Sequence, residues 1–115
     1  MERRFRLTKS ADFQRVRRLG RSYAHPLLVL VIAPGDANNP RIGVVAGRNI
    51  GNAVKRNRVK RRLRAALFPF RKRIALGWDM FFIARKPMGD ASFEKIQDVV
   101  KTLLQRARVL ETDVT

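Results

Sequence analysis

The longest unbroken apolar run is Leu27-Leu28-Val29-Leu30-Val31-Ile32-Ala33, which predicts a strand buried on both faces. Pro34-Gly35-Asp36 and Asn38-Asn39-Pro40 then supply turn chemistry, and Arg41-Ile42-Gly43-Val44-Val45-Ala46-Gly47 reads as a second strand. The simplest pairing makes these two antiparallel neighbours, with Gly43 marking a bulge or a close backbone approach. After Gly77, Trp78 to Arg85 is a third strand. Tyr23 to His25, just before Pro26, is a candidate for a short extra one.

Three stretches carry helical spacing instead. Thr8 or Ser10 can cap a first helix that Gly20 ends, with Phe13, Val16 and Arg17 on one face. Ser92 caps a last helix whose stripe is Phe93, Ile96, Val99, Val100, Leu103, Leu104 and Ala107. Between them, Asn52 can cap a helix that Pro69 ends or bends near Phe68. At about 100° per residue, Leu63, Ala66 and Phe70 fall within about 40° of Val59. Asn57, Arg58, Lys60, Arg61 and Arg64 point away from that narrow stripe. The order is α-β-β-(β)-α-β-α: an α+β chain, a single-domain α-β sandwich over residues 1–115, with helices packed on a mixed sheet. Residues 1–7 and 111–115 read as flexible. The middle helix would form a βαβ crossover, right-handed by the general rule.

Charge changes the meaning of the middle helix. Half of the residues from Ala53 to Ala66 are Lys or Arg, and the net charge is +17 over 115 residues. No acidic residue stands between Asp36 and Asp79. Self-repulsion on this scale opposes compaction, so a polyanion that relieves it is the leading explanation: nucleic acid, or an anionic membrane surface. Hydrophobic residues make up 45%, which argues against a disordered basic tail. No apolar run reaches the ~18 residues of a membrane span, and no signal peptide is read. The chain lacks cysteine, which excludes disulfides and thiolate metal sites and is compatible with a cytoplasmic location.

Catalytic chemistry is poorly represented. Glu94 and Asp98, at i and i+4, could touch one metal but fit a solvated helix face better. His25 is the only histidine, so neither a triad nor a zinc site is available. No phosphate-binding glycine loop is present. Binding residues are abundant. Arginine dominates, and its guanidinium can stack or hold a phosphate through two hydrogen bonds. Asn57 adds nothing to charge and is mildly unfavourable in a helix. It reads either as a tolerated surface residue or as an amide for a ribose 2′-OH or a base edge. Phe5, among Arg3, Arg4 and Arg6, is either a frayed-end aromatic or a stacking group. Phe13 is either core or the wall of a groove.

Arg41-Ile42-Gly43-Val44-Val45 followed by Ile50-Gly51-Asn52-Ala53-Val54-Lys55-Arg56-Asn57-Arg58-Val59-Lys60-Arg61 resembles the signature of the bacterial ribonuclease P protein subunit. Ser10-Ala11-Asp12-Phe13-Gln14-Arg15-Val16 and Ile83-Ala84-Arg85-Lys86-Pro87 extend the resemblance over nearly the whole chain. It implies a small protein bound to a catalytic RNA, in a complex that hydrolyses the 5′ leader from precursor tRNA. Mg²⁺ would be held mainly by the RNA, and no protein side chain would be catalytic or bind metal. By this resemblance the RNA subunit meets Arg48, Lys55, Arg56, Asn57, Arg58, Lys60, Arg61, Arg62 and Arg64. The leader meets Phe13, Arg17, Lys9, Phe5, Arg15 and Val31, in a cleft between the first helix and the sheet. The family crossover is left-handed, against the general rule. Arg17 and Val31 stand where many relatives carry aromatics, which shifts leader binding here from stacking towards charge. Asn49 stands where Lys or Arg often follows the basic residue at Arg48. Neither a membrane nor a small-molecule substrate is implied. The rival reading is a structural RNA-binding protein of the ribosome.

Overall fold

The computed structural model describes residues 10–35, 38 and 41–111. The chain runs α1 (Ser10–Leu19), β1 (Arg21–Ala24), β2 (Leu28–Pro34), β3 (Arg41–Ala46), α2 (Ala53–Leu67), β4 (Trp78–Ala84) and α3 (Phe93–Arg106). Short 3-10 turns at Arg48–Ile50, Phe68–Phe70 and Lys86–Asp90 complete it. This is the expected α+β order, with the extra short strand at Arg21–Ala24 rather than Tyr23 to His25. Thr8, and both stretches read as flexible except Glu111, lie outside the described residues. Glu111 itself donates its N–H to the Arg73 carbonyl at 2.6 Å.

The sheet order is β1-β2-β4-β3. The expected antiparallel pairing of β2 with β3 does not occur. β4 lies between them, antiparallel to β2 and parallel to β3. Burial explains the insertion. A strand apolar on both faces belongs inside a sheet, and β2 and β4 each bury five of their seven residues. β3 has half-buried residues at four of its six positions and takes an edge. Nor does Gly43 form a bulge, because it pairs in continuous register with Phe81. The parallel β3–β4 pair requires a crossover, and α2 supplies it.

Side chains alternate between the two faces of the sheet. On one face Leu28, Leu30, Ile32, Ile42, Met80 and Phe82 meet the buried stripes of α2 and α3 in the main core. On the other, Val31, Ala33 and Phe81 meet the buried Val16 and the half-buried Phe13 of α1 in a second, much smaller cluster. The stripe expected of α3 is buried from Ile96 onward, but Phe93 remains 40% exposed. It is the first residue of the helix, and the buried part of the stripe begins only at Ile96.

Candidate nucleic-acid interface

Local chemistry sets where α2 begins and ends. Gly51 has φ +138°, a conformation a side chain disfavours, and a Cβ there would approach Lys55 Cδ to 2.8 Å. The Asn52 side chain accepts a hydrogen bond from the Lys55 N–H at 3.0 Å. That bond satisfies one of the helix's orphan donors and starts the helix at Ala53. At the other end Pro69 converts the last turn to 3-10 geometry.

The predicted stripe is buried: Val59, Leu63, Ala66 and Phe70, joined by Leu67. Each large side chain among them contributes about 1.5–3 kcal/mol. Like-charge pairs three or four residues apart each cost only about 0.2–0.5 kcal/mol. Burial therefore wins, and the helix tolerates seven cations in fourteen residues without an acidic neighbour on its own face.

The charged residues divide into two groups. Arg48, Lys55, Asn57, Arg58 and Arg61 are exposed, whereas Arg56, Lys60, Arg62 and Arg64 are half-buried. Arg62 donates to the Ala91 carbonyl at 2.7 Å, so its guanidinium is tied to the loop before α3. Among the described residues, no side-chain hydrogen bond or ion pair engages Lys55, Arg58 or Arg61. Their charge is available.

Two concavities adjoin the start of α2. One, about 300 Å³, is lined by Lys55, Arg58, Arg62 and Lys86 together with the acidic Asp90. The other, about 520 Å³, is lined by His25, Asn49, Arg85 and Lys86 at the end of the sheet. Lys86 belongs to both. In the sequence Arg85 ends the predicted third strand, and nothing local ties it or Lys86 to α2. The β4–β3 pairing, which local sequence does not reveal, carries them to the turn before α2. His25 accepts the Leu27 N–H on Nδ1 at 3.1 Å. Desolvation, reinforced by Lys95 and Arg106, lowers its pKa from the ordinary 6.5.

The residues assigned to a leader do not all share one surface. Phe13 packs edge-on against Phe81 with ring centroids 5.0 Å apart, and the Arg17 guanidinium lies 5.6 Å from the Phe13 centroid. These two form a joint wall. Val31 is buried beneath α1 and presents no surface. Beyond α1 the same sheet face continues as a half-buried row, Val29, Ile83 and Val45. Arg15 is committed elsewhere: it donates to Asp79 Oδ2 and to the Pro34 carbonyl. Lys9 and Phe5 lie outside the described residues.

Asp79 was missed as a structural centre. It is fully buried and also accepts from Arg41, Nε to Oδ1 at 2.9 Å and Nη2 to Oδ2 at 2.7 Å. One carboxylate thus joins α1 to β3 through β4. The sequence signal was an acid inside an otherwise apolar strand, which demands a partner. Glu94 and Asp98 are exposed on α3. Among the described residues, no three of His, Asp and Glu gather to hold a metal. No described helix is long and apolar enough to cross a membrane.

The ribonuclease P family model matches residues 1–108. The chain belongs to the ribonuclease P protein family. It is 46% identical to the ribonuclease P protein component of Herpetosiphon aurantiacus, over 95% of this chain and 89% of that one. The corresponding component of Roseiflexus castenholzii is 41% identical over 100% and 95%. The fold is similar to that of the ribonuclease P protein of Staphylococcus aureus (TM-score 0.82, 33% identity, covering 93% of this chain and 98% of that one). The Thermotoga maritima ribonuclease P protein gives a TM-score of 0.79 at 27% identity, covering 88% and 96%.

Proposed function

We propose that the chain is the RNA-binding subunit of ribonuclease P and assists endonucleolytic removal of the 5′ leader from precursor tRNA. The exposed side of α2, with Lys55, Asn57, Arg58 and Arg61, binds the catalytic RNA. Neutralising its phosphates releases condensed counterions and relieves the protein's self-repulsion. The leader lies against Phe13, Arg17 and the half-buried row Val29, Ile83 and Val45. Arg15 and Val31 support this surface from below. Mg²⁺ belongs to the RNA, and the protein contributes organisation: its charge lets the RNA reach its active arrangement at lower Mg²⁺.

The observation that carries this reading is a helix sealed on one side and unpaired on the other. Three cations on its outer side, Lys55, Arg58 and Arg61, have no described partner. A side built for solubility would mix both signs of charge.

The test is cleavage of precursor tRNA at low Mg²⁺ with RNA alone, protein alone and both together. Only the RNA should cut, and the protein should accelerate it. Cleavage by the protein alone, or no acceleration, refutes the proposal. Recovery of ribosomal RNA rather than ribonuclease P RNA with the protein would favour the ribosomal reading.

A further inference from the structure

Phe93 is an aromatic ring left out of the core on the same side of the molecule as the unpaired cations. The remainder of its helical stripe, from Ile96 to Leu104, is sealed in the main core, while Phe93 stays 40% exposed. It does not cap its own helix, because Ser92 performs that role by accepting the Lys95 N–H at 3.1 Å. With Arg58, Arg61, Arg62 and Ala65, it lines a hollow of about 360 Å³ between α3 and the outer side of α2. Ala65 leaves the hollow open: it is exposed, and its methyl is too short to reach across. Arg62 is held to the Ala91 carbonyl and forms a fixed wall. Arg58 and Arg61 are exposed and have no described partner, so they remain available at the rim.

The geometry points to a binding site for one unstacked nucleobase of single-stranded RNA, stacked on Phe93 with its flanking phosphates on Arg58 and Arg61. The chemistry is that of single-strand recognition. An aromatic face accepts any base, and guanidinium groups take the backbone on either side. A duplex could reach the arginines but offers no free base face to the ring. This site rests on the proposed RNA-binding role of α2 and refines it. It divides the helix's contacts into phosphates along its length and one base at its α3 border.

The test uses the full chain, with Phe93→Ala and Phe93→Trp, against ribonuclease P RNA, a ten-residue oligouridylate and inorganic polyphosphate. Phe93 is partly exposed, so both variants should keep the wild-type circular dichroism spectrum. Phe93→Ala should weaken oligouridylate binding about tenfold, with an unchanged salt slope because no charge is lost. Phe93→Trp should restore the affinity. Its added emission, over that of Trp78, should be quenched by oligouridylate and not by polyphosphate. Wild-type affinity in Phe93→Ala, or equal quenching by polyphosphate, overturns the base site. If the wild-type chain prefers ribosomal RNA to ribonuclease P RNA, the functional reading falls instead. The oligouridylate titration still decides the base site in that case.

Discussion

Replacing Asp79 by Ala should destabilise the fold by about 2–3 kcal/mol. The carboxylate is fully buried and accepts hydrogen bonds from two guanidinium groups. Removing one partner of a fully buried ion pair costs about 3–5 kcal/mol, mostly through the charge left behind. Here the Arg15 and Arg41 side chains are 30% and 34% exposed, so both recover some water, and the upper range is discounted. At roughly 4 °C per kcal/mol for a chain of this size, the melting temperature should fall by about 8–12 °C. Asp79→Asn keeps the volume and loses the charge, and it should account for most of that loss. Thermal unfolding followed by far-ultraviolet circular dichroism measures both. If each variant melts within about 3 °C of wild type, the carboxylate does not join α1 to the sheet. Adding Arg15→Met to Asp79→Asn should cost far less than it does in the wild type, because the contact is already gone.

Arg58→Ala and Arg61→Ala should each weaken association with ribonuclease P RNA and reduce the slope of log K against log salt by about 1. Unchanged slopes would place the RNA elsewhere. Phe13→Ala should weaken binding of precursor tRNA more than of mature tRNA in the reconstituted complex, and equal losses would contradict a leader on the α1 side. A proton NMR titration of His25, the only histidine, should give a midpoint below 6.5. Its folded pKa is depressed, so its stabilising contribution is present above pH 6.5 and is lost as pH falls through the folded value. A midpoint at or above 6.5 would contradict the desolvation of this ring and the influence of the Lys95 and Arg106 charges on it.

Local chemistry made α2 legible. Its cap at Asn52, its stop at Pro69 and its stripe through Val59 and Leu63 all follow from spacing within about one helix length. The place of β4 was not legible, because which strands pair depends on contacts between distant parts of the chain. Without that pairing, the acid in β4 signalled only that a partner was needed, and neither its partners nor the approach of Lys86 to α2 could be read. Charge counting also failed to separate compensated arginines from available ones. Arg15 and Arg62 look like Arg58 in the sequence, yet one holds a carboxylate and the other a carbonyl. Phe93 shows the limit of periodicity: it lies on the α3 stripe, but the core ends before reaching it. The long resemblance through Arg56-Asn57-Arg58 named the family where composition could reach only a polyanion.

The two faces of the sheet are held with unequal strength, and this sets an order of opening. α3 buries five residues in the main core, whereas α1 buries only Val16 and adds the Arg15 contact at Asp79. Partial unfolding should therefore release α1 as a unit while the rest of the domain stays intact. Its amides would exchange with solvent through an opening of lower free energy than those of α3. Each such excursion would uncover Phe81 and Val31 and take the Phe13 wall away with the helix. The surface assigned to the leader is thus also the part of the protein that breathes first, and an occupied leader site should slow exchange there selectively.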